Sequence, residues 1–208
     1  IAFAARDSEF VDKKSGVSAR LTIAAYENLY SAAERRMLRN GEKNTTARIT
    51  DFWGLVPAIT GKVEMVYEGE QEGPHAVALH LIGQAVKKVF LQRFPNPNKL
   101  KKGQDRDPYG VLRAWFSAGH IVDLMTEMND KGFAQALESV AGLAKIVEEA
   151  KVPTAERLVY MELVLHGLAE FDVLSKSFVQ THWVFKDHLT GALGNDEDDD
   201  TDLRGLFN

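Results

Sequence analysis

Residues 15–39, SGVSARLTIAAYENLYSAAERRMLR, carry the pattern on which the fold turns. Leu21, Ala25, Leu29 and Ala32 recur at three- and four-residue intervals, the spacing of one helix face. The spacing predicts a helix that opens near Gly16 to Ser18 and runs to about Arg39. Ser15 and Ser18 are the candidate N-caps, and Asn40-Gly41 supplies the stop.

After the turn Gly41 to Thr46, Thr50-Asp51 reads as the cap of a short second helix. It covers Ile49 to Ile59, with Phe52, Leu55 and Ile59 on one face. Val63 to Tyr67 alternates weakly and leads into Glu68 to Pro74, where two glycines and a proline favour a turn. Val77, Leu81, Ala85 and Val89, with Ala78, Ile82 and Val86 beside them, predict a helix buried on most sides and ending near Phe94. Pro95-Asn96-Pro97-Asn98 breaks it. The polar stretch to Pro108 reads as a surface loop and an internal boundary.

Helical patterning resumes over Val111 to Met128 and Phe133 to Lys151, interrupted at Asn129 to Gly132 and stopped by Pro153. Thr154 then caps a segment with Leu158, Met161, Leu165 and Leu168 on one face, expected to continue as a broken helix to Leu193. The fold class expected is predominantly all-α, with little or no sheet.

A chain of 208 residues with 45% hydrophobic and 26% charged residues is long enough to bury a core. It has no cysteine, which removes disulfides, thiolate metal sites and thiol nucleophiles and fits a reducing, cytoplasmic setting. No apolar run reaches the ~20 residues of a membrane span. The start at Ile1, without a basic leader, reads as a cut inside a longer chain. The formal charge of −5 is concentrated at one end: Asp196 to Asp202 supplies six carboxylates, and the rest sums to +1. A nearly neutral body creates no field that calls for nucleic acid, which is not an expected partner.

Gly16, Val17, Ser18 and Arg20 match, residue by residue, the G-[AV]-S-x-R pattern that opens the lid helix of MoxR-like and magnesium-chelatase-like AAA+ ATPases. Thr50-Asp51 resembles that family's capped entry to the next lid helix, and the likeness covers roughly the first 60 residues. The stretch SGVSARLTIAAYENLYSAAERR together with VYEGEQEGP, residues 66–74, is similar to a bacterial subgroup labelled magnesium chelatase.

The resemblance implies a helical lid over residues 1–60, a family-specific helical bundle extension over 61–193, and an acidic tail over 194–208. It implies that Arg20 is the nucleotide-sensing arginine called sensor 2, with Gly16 and Ser18 shaping the turn before it. The intact protein would bind ATP and Mg2+ and assemble as a ring. Its partners would be the upstream core, neighbouring subunits and a client protein. The chemistry suits that role, because a guanidinium is permanently charged and forks onto phosphate oxygens, and a helix N-terminus adds positive charge beside it. The competing reading of Arg20 is a solvated helix residue in an ordinary interaction bundle with no nucleotide dependence.

No GxxxxGK[ST] phosphate loop is present. Gly54 to Gly61-Lys62 has six residues between its glycines and Val63 where a hydroxyl is needed. No catalytic residue or bound cofactor is therefore expected within these residues alone, and no serine sits in a nucleophile elbow.

Three further groupings read more simply as structure, and a fourth, at the C-terminal end, as a docking segment. Glu64, Glu68, Glu70 and Glu72 crowd together without the spacing of a calcium loop. Among the histidines, His120 with Asp123, and Glu162 with His166 and Glu170, have the best spacing, yet a zinc site would need another ligand from elsewhere. The basic residues Lys87, Lys88, Arg93, Lys99, Lys101, Lys102 and Arg106 read as a solvated surface. Leu203 to Phe207 forms an apolar end after the acidic run, suited to a groove in a partner.

Overall fold

A computed structural model describes residues 1–14, 17–100 and 107–188. A short helix α1 (Ala2–Asp7) precedes the long α2 (Ala19–Arg39), which starts and ends where its pattern predicts. The second short helix divides in two: a 3-10 segment, Thr50–Leu55, runs into α3 (Val56–Thr60). Pro57 explains the division, since it lacks an N–H and is tolerated only in a first turn.

The expected turn before Pro74 contains α4 (Tyr67–Glu72) and then Gly73, whose φ of +87° redirects the chain into α5 (Pro74–Arg93). α5 buries one side only. Val77, Ala78, Leu81, Ile82, Val86 and Phe90 point inward, whereas Val89 is exposed. Helices α6 (Gly110–Ser117), α7 (Asp130–Glu138), α8 (Leu143–Glu149) and α9 (Arg157–Ala169) complete the helical part.

The chain is predominantly helical but contains a small sheet, a correction to the expected near-absence of strands. β1 (Val122–Met125) occupies part of the expected helix 111–128, and β2 (Leu174–Val179) and β3 (His182–Asp187) replace the broken helix expected towards Leu193. Residues from 189 onward, including the acidic run and the apolar end, lie outside the described residues. The order is β1-β3-β2, antiparallel throughout, with Leu124 opposite Trp183 and Phe178 opposite Trp183 on the other side. Burial alternates in β1, with Val122 and Leu124 inward and Asp123 and Met125 outward, and in β3 Trp183 and Phe185 face the core. Period two over such short runs is the strand signature, masked here by the helical runs beside it.

α9 is the axis of the molecule. Every residue from Met161 to Leu168 is buried, as expected of a helix surrounded on all sides. One contiguous core cluster includes residues on both sides of position 60, among them Leu21, Ile49, Leu55, Leu81, Phe90, Leu165 and Phe185.

Where α9 crosses α5, a Cβ on Gly167 would lie 2.3 Å from the Phe90 ring. Gly167→Ala is therefore expected to cost about 1–3 kcal/mol through overpacking, despite alanine's better helix propensity. Urea unfolding measures it, and a stabilised variant would contradict the close approach.

Candidate functional site

Ser18 has extended backbone angles, φ −63° and ψ 142°, and its Oγ accepts the Arg20 N–H at 3.2 Å. This is the capping geometry that opens α2. Arg20 is exposed on the first turn of α2, and Gly16 lies outside the described residues. The structure thus puts Ser18 and Arg20 together at one helix end.

Thr50-Asp51, expected as a helix cap, does not act as one: Ile49 occupies the N-cap position with no side-chain cap. Asp51 turns instead towards Arg36. The Arg36 guanidinium, with its side chain 1% exposed, donates to Asp51 Oδ1 at 3.3 Å and to Asp51 Oδ2 at 3.0 Å. It also donates to Thr45 Oγ1 at 2.8 Å, to the Thr46 carbonyl at 2.9 Å and to Asp130 Oδ1 at 3.4 Å. All five guanidinium N–H donors can be satisfied by that set.

Arg48 lies beside it, donating to the Met128 carbonyl at 2.6 Å and to Asp130, with its guanidinium 4.0 Å from the Phe133 ring centroid. Its backbone N–H donates to Asp51 Oδ2 at 2.8 Å. Burial, and then the nearby Arg36 charge, pull the Arg48 guanidinium below its ordinary range. Two arginines and two aspartates thereby balance in charge.

The cap that Thr50-Asp51 does not provide comes from α9. Glu162, 0% exposed, accepts the Ile49 N–H and the Thr50 N–H, each at 2.7 Å. Burial pushes its carboxyl up to about 7 and the charge on Asp51 adds to this, while the two backbone N–H groups and Arg48 oppose it. One turn on, His166 Nε2 is 3.9 Å from Glu162 Oε1, too long for a hydrogen bond. Burial first, and then the Lys176 charge, hold His166 well below its usual range, so it is neutral.

The other singled-out residues disperse. Glu170 pairs with Lys176 rather than joining Glu162 and His166, and His182, not His120, meets Asp123, at 2.9 Å. His120 stacks on Trp115. Among the described residues no three His, Asp or Glu side chains are placed to share a metal ion. Lys87 donates to the Glu170 carbonyl at 3.0 Å and Arg93 lies over Tyr160, while Lys101, Lys102 and Arg106 lie outside the described residues. Among the described residues no helix is long and apolar enough to cross a membrane.

Arg36, Arg48 and Asp130 escaped the sequence reading. Arg36 and Asp51 are 15 apart and Arg36 and Asp130 are 94 apart, and in a charged sequence nothing distinguishes such pairs from solvated ones. No protein-family model, curated protein or solved structure matches this chain.

Proposed function

We propose that this chain is the helical lid and C-terminal helical module of an AAA+ ATPase related to the magnesium-chelatase group. Its Arg20 reads the nucleotide phosphates held by a core outside these residues. The observation that supports this reading most is Ser18 capping α2 while Arg20 stands exposed on its first turn. A free cation at a helix N-terminus is suited to an anion presented from outside. α2 then folds back against the 3-10 segment and α3, the helix–turn–helix layout that a lid requires.

The test is ATP hydrolysis by the polypeptide that carries the phosphate-binding core. Arg20→Ala is expected to lower turnover about 10- to 100-fold, the equivalent of a charge-assisted hydrogen bond of about 1.5–3 kcal/mol. Thermal unfolding should not change, because the side chain is exposed. Undiminished hydrolysis in the variant would remove the sensor role.

A second reading, an interaction module without nucleotide dependence, is favoured by a different face of α2. Ile23, Tyr26 and Tyr30 are 59%, 69% and 62% exposed and follow one helical stripe. An apolar groove of about 600 Å3, lined by Leu21, Ala25, Leu29, Val89 and Tyr160, runs beside them. On this reading Arg20→Ala changes nothing and substitutions of Tyr26 abolish partner binding.

A further inference from the structure

The groove of about 600 Å3 beside the α2 stripe is open to solvent: its lining runs from buried Leu21, Leu55, Val86 and Leu163 to exposed Tyr26 and Val89. An open apolar surface of this size marks a docking site. Charge of both signs stands at its margins. Arg93, exposed on α5 one turn beyond Val89, has its guanidinium 6.0 Å from the ring centroid of Tyr160, a lining residue. Lys88, also exposed, is next to Val89 and lies 5.9 Å from the Phe3 ring centroid of α1. Among the described residues neither cation has a carboxylate partner. Glu156, exposed before α9, lines the same groove.

The chain itself carries a segment of matching chemistry. Leu203, Leu206 and Phe207 recur at i, i+3 and i+4, the anchor spacing of a segment that lays one apolar face into a groove. The six carboxylates of Asp196 to Asp202 precede them and complement Lys88 and Arg93, while Arg204, set among the anchors, complements Glu156.

Reach sets no bar. β3 ends at Asp187, opposite Leu174, which follows the C-terminal end of α9, and from Ala169 back to Leu163 on the groove wall is about 9 Å of helix. Residues 189–202 span up to about 50 Å when extended. A segment tethered in this way acts at an effective concentration of about millimolar.

We infer that residues 203–207 of this chain occupy the groove, with the acidic run drawn to Lys88 and Arg93. The inference is independent of the ATPase reading.

The chain has no cysteine, so a nitroxide on Asn208→Cys reports a single position. In 15N–1H spectra of the full chain the nitroxide is expected to broaden the Thr22, Ala25, Tyr26 and Val89 amides. Combining Leu206→Asp with Phe207→Asp should lower the docked population about tenfold, and the broadening with it. These substitutions remove no residue of the core, so the change reports docking. Lys88→Glu with Arg93→Glu should lower the docked population about threefold, and added salt should act in the same direction. Groove amides no broader in the labelled chain than in the labelled Leu206→Asp, Phe207→Asp variant would overturn the inference and leave the groove to a partner protein. Broadening passed in full from a spin-labelled chain to a 15N chain without nitroxide would overturn it too, since the occupant would then be a segment of a second copy.

Discussion

Arg36→Met is expected to lower the unfolding free energy by about 3–5 kcal/mol, the usual cost of removing one partner from a buried ion pair. Methionine fills much of the same volume, so packing is nearly conserved and the loss comes from electrostatics. Asp51, whose side chain is 3% exposed, would keep its charge with only the Arg48 backbone N–H and the more distant Arg48 charge to compensate it. The Thr46 carbonyl and Thr45 hydroxyl would lose their donors at the same time. Urea unfolding of the variant measures the change, and combining it with Asp51→Asn tests the assignment. The double variant should lose less than the two single losses added together, because the second substitution removes the stranded charge. A loss in Arg36→Met of under about 1 kcal/mol, typical of an exposed pair, would contradict the burial described for this arginine.

Glu162 and His166 should give opposite pH slopes to stability. A carboxyl held at about 7 in the fold, against an ordinary 4.5, binds a proton in the native state that the unfolded chain has already released. Its contribution is therefore full at low pH and is lost as pH rises through that window, by up to about 3 kcal/mol. His166 is lowered from 6.5, so the unfolded chain takes up a proton that the fold refuses, and stability is lost as pH falls below that value.

In the wild-type protein the two trends largely offset each other between about pH 5 and pH 6.5. Glu162→Gln leaves the histidine trend, so stability should rise with pH by up to about 1.4 kcal/mol per unit. His166→Phe leaves the glutamate trend, and stability should fall with pH. The glutamine also turns an amide NH2 towards one of the two backbone N–H groups, which lowers its stability at every pH without altering the slope. Denaturant midpoints at a series of pH values report both slopes, and parallel profiles in the two variants would show that neither group titrates as described.

The elements legible in the sequence were those whose signals are local. α2, α5 and α9 carry apolar periodicity over many turns and are bounded by Ser18, by Asn40-Gly41 and by the prolines at 74, 95 and 153. The strands are short, and the hairpin turns at Gln180-Thr181, where Gln180 adopts φ +56°. Without the asparagine or glycine that normally marks such a turn, nothing local announced it.

The candidate site divides in the same way. Ser18 and Arg20 stand one short turn apart and could be read together. Glu162 acts on backbone N–H groups 112 and 113 residues away, and no periodicity encodes that. Its neighbour His166 invited a metal reading from i, i+4 spacing alone, whereas burial in the core decides its chemistry.

Asp130 gives the molecule a mechanical property. A single carboxylate at the first turn of α7 serves Arg36 of α2 and Arg48 of the connecting segment. Pulling residues 45–51 away would uncover two cations and the Glu162 acid together. The first helices and the α7 side of the molecule are consequently tied through one carboxylate, and residues 45–51 can part from α7 only by exposing these groups together.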